Sequence, residues 1–222
     1  LERQPGNTYV RKILLSSNFQ IGRYKRTWSL LKSFKKQDVW LFKMNFYTLS
    51  ALKREKEAAE VAVKLFELTD PVERLRYLTP ALVQRIFRVC KPFVPIEELL
   101  TIIDEVYTAY PEDLSLANTL AYALVDNNIQ LKRAEEIIDK ILSVDDENIA
   151  YLDTAAWLYY RQGRYRKALT YIDKILGQNK TQSAVVLQHA ATIVEAAGGS
   201  KRRIEKLKDR ALLRKAVTEA EK

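Results

Sequence analysis

The 222-residue sequence predicts an all-helical protein built from repeated helix-turn-helix units. Three observations lead to this fold class: a five-residue motif recurs, apolar residues follow the period of a helix, and glycine and proline number only six each. So few turn-forming residues do not fit a many-stranded sandwich or barrel. The apolar fraction of 47% and the charged fraction of 29% indicate a folded chain rather than a disordered one.

The repeat is clearest in the second half of the chain. Residues 138–142 and 172–176 both read Ile-Asp-Lys-Ile-Leu, and the two copies lie 34 residues apart. Each copy follows an upstream apolar segment, 116–125 or 152–160, and a short polar turn that is one residue longer in the first copy. Each unit is therefore predicted to be a helix, a turn and a second helix.

The spacing of apolar residues supports helices in these segments. Leu152, Ala155 and Tyr159 fall at i, i+3 and i+7, which places them on one face of a helix. Ala156 and Ala168 are expected where the two helices of a unit approach each other, because a larger side chain there would push the helices apart.

At these positions the sequence resembles the tetratricopeptide repeat, a 34-residue helix-turn-helix unit. The stretch 151–165, Tyr-Leu-Asp-Thr-Ala-Ala-Trp-Leu-Tyr-Tyr-Arg-Gln-Gly-Arg-Tyr, is similar to bacterial members of the family. The sequence departs from the family pattern at Ile141 and Ile175, where alanine is usual, and neither unit ends in the family's proline. The resemblance implies a right-handed α-solenoid of about six units and about twelve antiparallel helices.

The same repeat frame divides the chain into three predicted regions. They are 1–79, with divergent basic repeats and a connector; 80–182, with better-matched units at 80–113, 114–148 and 149–182; and 183–222, with a last repeat and a basic capping helix. The N-terminal matches are weaker and depend mainly on helical periodicity. Pro92 and Pro95 are expected in the turn between two helices, where a missing N–H costs least.

The net charge of +9 is unevenly distributed along the chain. Residues 1–56 carry +10, residues 57–148 carry −9 and residues 149–222 carry +8. Basic ends that flank an acidic middle are either ordinary solvated helix faces or contacts for an anionic partner. The candidates for following phosphates are Lys25, Arg26, Lys32, Lys35 and Lys36, and the candidates for stacking on bases are Tyr24, Trp28 and Phe34. Binding of nucleic acid or another anionic polymer is therefore the alternative function.

The sequence contains no residue set typical of catalysis, cofactor binding or metal binding. His189 is the single histidine, with no evident second metal ligand or triad partner, and is interpreted as an ordinary helix-face residue. Cys90 lies on an apolar stripe and is expected to be a buried small hydrophobe. The acidic run 145–148 matches the turn between repeats and lacks the ligand spacing of a calcium loop. We expect the protein not to be an enzyme and to bind no cofactor and no metal ion.

The family resemblance implies a concave face lined by the first helix of each unit. The residues that this frame directs into it are Trp157, Tyr160, Arg161, Asp153, Tyr122, Asn118 and Arg88. Aromatic and arginine side chains are the usual anchors for a peptide. The predicted function is a non-catalytic protein-protein interaction scaffold that binds a partner peptide or protein; the alternative for Trp157 and Tyr160 is packing against the next repeat.

The compartment and the oligomeric state stay open at this stage. One cysteine allows no internal disulfide, and no apolar run approaches the ~20 residues of a membrane span. The chain opens at Leu1, so we expect it to begin inside a longer bacterial protein or after processing. The resemblance is compatible with the bacterial cytoplasm or with the periplasmic side, as part of a lipoprotein.

Overall fold

The computed structural model describes residues 8–34, 38–67, 75–178 and 180–220. Across these ranges the chain forms helices and no strand, and twelve of the helices contain nine residues or more. This architecture confirms the predicted all-helical fold class. In the described ranges no helix is both long enough and apolar enough to cross a bilayer.

The chain divides into two compact units, residues 1–110 and 111–222. The helices of the first unit are α1 (Thr8–Gln20), α2 (Tyr24–Lys32), α3 (Val39–Ala51), α4 (Glu55–Glu67), α5 (Pro80–Cys90) and α6 (Ile96–Ala109). The helices of the second unit are α7 (Leu114–Asp126), α8 (Leu131–Val144), α9 (Ile149–Arg161), α10 (Tyr165–Gly177), α11 (Ala184–Ala196) and α12 (Lys201–Ala220). The division into 1–79, 80–182 and 183–222 stays a prediction about repeats.

Consecutive helices pack as pairs, and each odd-numbered helix is the first helix of its pair. The pairs are α1–α2, α3–α4 and α5–α6 in the first unit, and α7–α8, α9–α10 and α11–α12 in the second. In the second unit α9 also packs against α7 and α11. The three first helices of this unit are therefore neighbours, although about one repeat of sequence separates each from the next.

First helices begin at a polar side chain that accepts a hydrogen bond from a backbone N–H of the first turn. These N-cap residues are Asp38, Thr79, Asp113, Asn148 and Ser183, at the starts of α3, α5, α7, α9 and α11. The last four are 34 or 35 residues apart. Each cap satisfies a donor that a helix start would otherwise leave unpaired, so the first helices from α3 onwards all begin in the same way.

The turn between the two helices of a pair also recurs, and it needs one residue with a positive φ. The longer turn before α8 has a second positive-φ residue, Gln130, besides the recurring ones, which are Gly22, Lys53, Asn128, Gly163 and Gly198. The recurring residue and the next donate backbone hydrogen bonds to carbonyls in the last turn of the first helix, which reverses the chain direction while satisfying those acceptors.

Two of the predicted details of these turns are confirmed. The turn after α7 covers four residues, 127–130, whereas the turn after α9 covers three, 162–164. Pro92 and Pro95 lie between α5 and α6, where the chain reverses without a positive-φ residue. Proline fixes its own φ near −65°, which explains why this pair departs from the common turn.

The repeated lysine of the Ile-Asp-Lys-Ile-Leu motif makes an equivalent contact in both copies. Lys140 Nζ donates to the carbonyl of Pro111 over 3.0 Å, and Lys174 Nζ lies 2.6 Å from a carboxylate oxygen of Asp146. Both partners lie in the loop just before the first helix of the same repeat. The contact lowers the pKa of the exposed Asp146 carboxyl, chiefly through the hydrogen bond from Lys174.

Small residues occupy the contact between paired helices, as the sequence predicts. Ala121, Ala134, Ala156 and Ala168 are all fully buried. Large apolar side chains such as Tyr159 fill the remaining interior at 1% exposure. The size of the alanines therefore sets how closely α7 approaches α8 and how closely α9 approaches α10.

Replacement of Gly163 by alanine tests the positive-φ turn. Gly163 has φ +74° and nothing lies within 4 Å of the position that a Cβ would take, so the penalty comes from the backbone alone. We expect Gly163→Ala to lower the free energy of unfolding by about 1 kcal/mol in urea titrations. The matched control is Gly177→Ala in α10, equally open but without a positive φ, which should leave stability unchanged or slightly raised. Equal effects of the two substitutions would contradict this account.

Enlargement of Ala168 tests the close contact between α9 and α10. We expect Ala168→Leu to lower the free energy of unfolding by about 1–3 kcal/mol, because the fully buried site has no room for three more carbons. Ala150→Leu adds the same atoms at an exposed position of α9 and should have little effect. An unchanged denaturant midpoint for Ala168→Leu would show that the two helices do not pack as described.

Candidate functional site

A buried pair of one histidine and one aspartate side chain lies between α9 and α11. Nδ1 of His189 is 3.0 and 3.1 Å from the two carboxylate oxygens of Asp153, within hydrogen-bond distance of both. His189 is 8% exposed and Asp153 is 6% exposed. Because a carboxylate only accepts, the hydrogen lies on Nδ1 of the imidazole. The pair links two first helices and fixes the orientation of the imidazole ring.

Aromatic rings are stacked over this pair. The Trp157 ring lies 4.2 Å from the His189 ring at an interplanar angle of 11°, and 4.7 Å from the Tyr160 ring at 16°. Tyr122, from α7, is tilted towards His189 at a ring distance of 6.4 Å. Trp157, Tyr160 and Tyr122 are each half-buried. Trp157 therefore both packs on the following repeat and keeps part of its ring at the surface.

Two polar atoms of this cluster are buried without a hydrogen-bond partner among the described residues. They are Nε1 of Trp157, which can only donate, and Oδ1 of Asn118, which can only accept. Asn118 is half-buried on α7, the helix that also carries Tyr122. The described residues therefore leave one hydrogen-bond donor and one acceptor unused in this cluster.

Tyr122 stays protonated over the whole physiological range. Burial, chiefly, together with the negative charges of Asp126 and Asp153, raises the pKa of its phenol to about 12. The phenol therefore keeps its hydrogen and can both donate and accept.

We define the first-helix face as the half-buried side chains Asn118, Tyr122, Trp157 and Tyr160 together with the Asp153–His189 pair beneath them. The structure thus brings together five of the sequence-predicted site residues and adds His189. His189 lies on a helix, as the sequence indicates, and the structure adds a buried carboxylate neighbour, Asp153, which the sequence pattern does not reveal. The signal that could have revealed it is spacing: side chains about one repeat apart on consecutive first helices become neighbours.

Arg161 is held within the chain. Its Nε donates to the carbonyl of Val125 over 3.2 Å, and its NH2 group donates to the carbonyl of Asp126 over 2.8 Å. These two carbonyls belong to the last turn of α7, whose final acceptors have no partner inside the helix. Arg161 therefore ties the end of α7 to the end of α9. Arg88 is exposed on α5, in the first unit.

The remaining candidates for chemistry serve structural purposes. Burial raises the pKa of the Cys90 thiol to about 12, so this sulfur is a buried thiol rather than a nucleophile. In the acidic run 145–148, Asn148 caps α9, and Lys174 pairs with the carboxylates of Asp146 and Glu147. Among the described residues no three histidine, cysteine or carboxylate side chains form a group that could hold a metal ion.

Of the N-terminal residues predicted to contact an anionic polymer, Trp28 and Phe34 make contacts within the first unit, whereas Arg26 and Lys32 are exposed. The Trp28 ring has Lys32 Nζ at 3.3 Å and Arg54 Cζ at 3.8 Å from its centre. Phe34 is 8% exposed, whereas Lys25 is exposed. Lys35 and Lys36 lie outside the described residues. Trp28 and Phe34 therefore contribute to the first unit itself rather than offering free faces for stacked bases.

Solved structures with the same fold provide the comparison with known proteins. A tetratricopeptide repeat protein from Parabacteroides merdae is 11% identical, with a TM-score of 0.71 over 93% of this chain and 79% of its own. MamA from Desulfovibrio magneticus, residues 41 to its end, is 19% identical, with a TM-score of 0.61 over 78% of this chain and 97% of its own. PlcR from Bacillus thuringiensis, in complex with the peptide PapR7 and DNA, is 16% identical, with a TM-score of 0.55 over 87% of this chain and 76% of its own. No family model and no curated protein matches the sequence.

A double-mutant cycle tests the Asp153–His189 pair. Asp153→Ala should lower the free energy of unfolding at pH 7 by about 1–3 kcal/mol, because it leaves a buried imidazole N–H without its acceptor. The double variant Asp153→Leu/His189→Phe should be more stable than the sum of its two single substitutions predicts, by about 1 kcal/mol or more. Asp209→Ala, on the exposed surface of α12, is the control and should leave stability unchanged. Additive single substitutions would show that the two side chains do not interact.

Proposed function

We propose that this chain, which has the tetratricopeptide-repeat fold, is a non-catalytic scaffold whose first-helix face holds a segment of a partner protein. The observation that carries the proposal is the cluster of half-buried aromatic rings contributed by consecutive first helices. Trp157, Tyr160 and Tyr122 lie close together and are only partly covered. Large aromatic side chains are the residues that most often dominate the free energy of protein-protein binding.

The rings are held in place before any partner arrives. Trp157 stacks on His189, and His189 is fixed by the carboxylate of Asp153 on the neighbouring helix. A ring that is already ordered loses little conformational entropy on binding, so more of its contact free energy contributes to affinity. In this proposal Asp153 and His189 position the binding residues instead of contacting the partner.

Arg161 has a similar positioning role. The sequence frame directs it towards a partner, where it would add a charge-assisted contact to an acidic residue, but its guanidinium already donates to the carbonyls of Val125 and Asp126. We propose that Arg161 keeps α7 and α9 in the spacing that brings Tyr122 and Trp157 together.

Hydrogen bonding gives the bound segment its orientation. Nε1 of Trp157 and Oδ1 of Asn118 offer one unused donor and one unused acceptor. Peptide groups of a bound segment supply the complementary donor once the Asn118 side chain turns towards the surface, whereas the Trp157 ring stays stacked on His189. The structure of PlcR with the peptide PapR7 shows that a protein of similar fold holds a peptide, which supports the same kind of ligand here.

Peptide selection from a display library tests the proposal, because it samples many candidate segments at once. We expect related peptides to be enriched on the native chain, and Trp157→Ala to weaken their binding by about 2 kcal/mol or more, roughly 30-fold in Kd. The control is Val144→Ala, which removes an exposed apolar side chain from a second helix and should not alter binding.

Stability is measured in parallel to separate binding from folding. Melting followed by circular dichroism should show Trp157→Ala still helical and folded at the assay temperature. If the selected peptides bind the folded Trp157→Ala variant as tightly as the native chain, the first-helix face is not their binding site and the proposal fails.

A further inference from the structure

A second open surface lies at the C-terminal end of the second unit. We call it the end groove, and the lining residues that define it are Gln182, Leu187, Arg210, Leu213, Arg214 and Val217. Its floor is apolar: Leu187 is 3% exposed, whereas Leu213 and Val217 are 69% and 37% exposed. The groove therefore combines a recessed apolar floor with uncovered apolar side chains on α12.

The wall of the groove is fixed by a buried amide. Gln182 is 5% exposed; its Nε2 donates to the carbonyl of Lys180 over 2.6 Å, and its Oε1 accepts from Arg210 over 2.8 Å. These bonds tie the loop before α11 to the middle of α12. The groove is thus an ordered feature of the fold.

The rim of the groove is basic. Helix α12 contains eight lysine and arginine residues against three acidic ones. Lys180, Arg210 and Arg214 line the groove, and Lys215 and Glu219 line its continuation along α12. A partner that covers this surface needs acidic side chains to pair with the rim and apolar side chains to fill the floor.

The way in which the preceding helix pairs pack indicates that a helix fits the end groove. Helix α11 packs against α9 and α10 of the pair before it. Helix α12 has 20 residues and its partner α11 has 13, so the last turns of α12 extend beyond α11. Leu213 and Val217 lie in the C-terminal half of α12 at i and i+4, on one helical face.

We propose that the end groove docks an acidic amphipathic helix of a partner protein. The helix would place apolar side chains at i, i+3, i+4 and i+7 against Leu187, Leu213 and Val217, with glutamates or aspartates towards Arg210 and Arg214. The shape favours a helix over a lipid surface, because Leu187 lies at the bottom of a groove that only protruding side chains reach. This site is separate from the first-helix face.

A synthetic peptide of about 16 residues, roughly four helical turns, tests the proposal on the full chain. It carries leucines at i, i+3, i+4 and i+7 and glutamates at the flanking positions, and its binding is followed by fluorescence anisotropy. We expect it to bind more tightly than a scrambled peptide of the same composition. Leu213→Asp should weaken binding by about tenfold or more, since it places a charge against the peptide's apolar face.

Leu212→Asp is the matched control for this experiment. Leu212 is 66% exposed, nearly the same as Leu213, but it does not line the groove. The two variants have equal charge, so equal weakening would mean that the peptide responds only to the net charge of α12, which would overturn the proposal. Trp157→Ala should leave this peptide's affinity unchanged.

Charge exchange gives a second, independent readout. Arg214→Glu should weaken binding of the glutamate peptide and strengthen binding of an otherwise identical lysine peptide. Arg202→Glu, near the start of α12, should change neither affinity. The proposal would be overturned in favour of a membrane if the chain bound phosphatidylglycerol vesicles more tightly than the peptide, and if Leu213→Asp but not Leu212→Asp abolished the vesicle binding. Self-association lost in Leu213→Asp alone would overturn it in favour of a second copy of the chain.

Discussion

Contact between neighbouring helix pairs is the constraint on which each unit depends. A single pair leaves one apolar face uncovered, and only the next pair can cover it, so stability grows by stacking rather than by closing one core. In the second unit α9 packs on its own partner α10 and also on α7 and α11. The fully buried alanines at the pair contacts let these helices approach closely. The same side-by-side arrangement of first helices brings Tyr122, Trp157 and His189 into one cluster.

Local interactions within each repeat keep the repeat length regular, so that successive helix pairs stack in the same way. A capping side chain fixes where each first helix from α3 onwards begins, and a positive-φ residue fixes where most of them end. The motif lysines, Lys140 and Lys174, then tie each second helix to the loop that starts its own repeat. Cap, turn and lysine are all local to one repeat, so the repeat length is set by several short-range interactions that agree with one another.

Because these features are local, the sequence predicts most of the fold. The 34-residue motif and the buried alanines locate α7 to α10 closely, and the weaker N-terminal periodicity still agrees with helices at α1 to α4. Local patterns do not predict which side chains meet across repeats. His189 looks isolated in the sequence, and its partner Asp153 lies on another helix. Arg161 looks like a free groove residue, but the carbonyls of Val125 and Asp126 at the end of α7 are acceptors that only the folded structure brings within its reach.

The basic ends of the chain also show that charge composition alone does not predict what the charged side chains contact. At the N-terminal end, the cations of Lys32 and Arg54 lie against Trp28, so part of the excess charge stabilises an aromatic ring of the first unit. At the C-terminal end, Arg210 and Arg214 border an apolar groove, where their cations lie next to uncovered leucine and valine side chains. The positive charge of the sequence therefore contacts an aromatic ring at one end and borders an apolar groove at the other, and the difference lies in which apolar side chains the cations accompany.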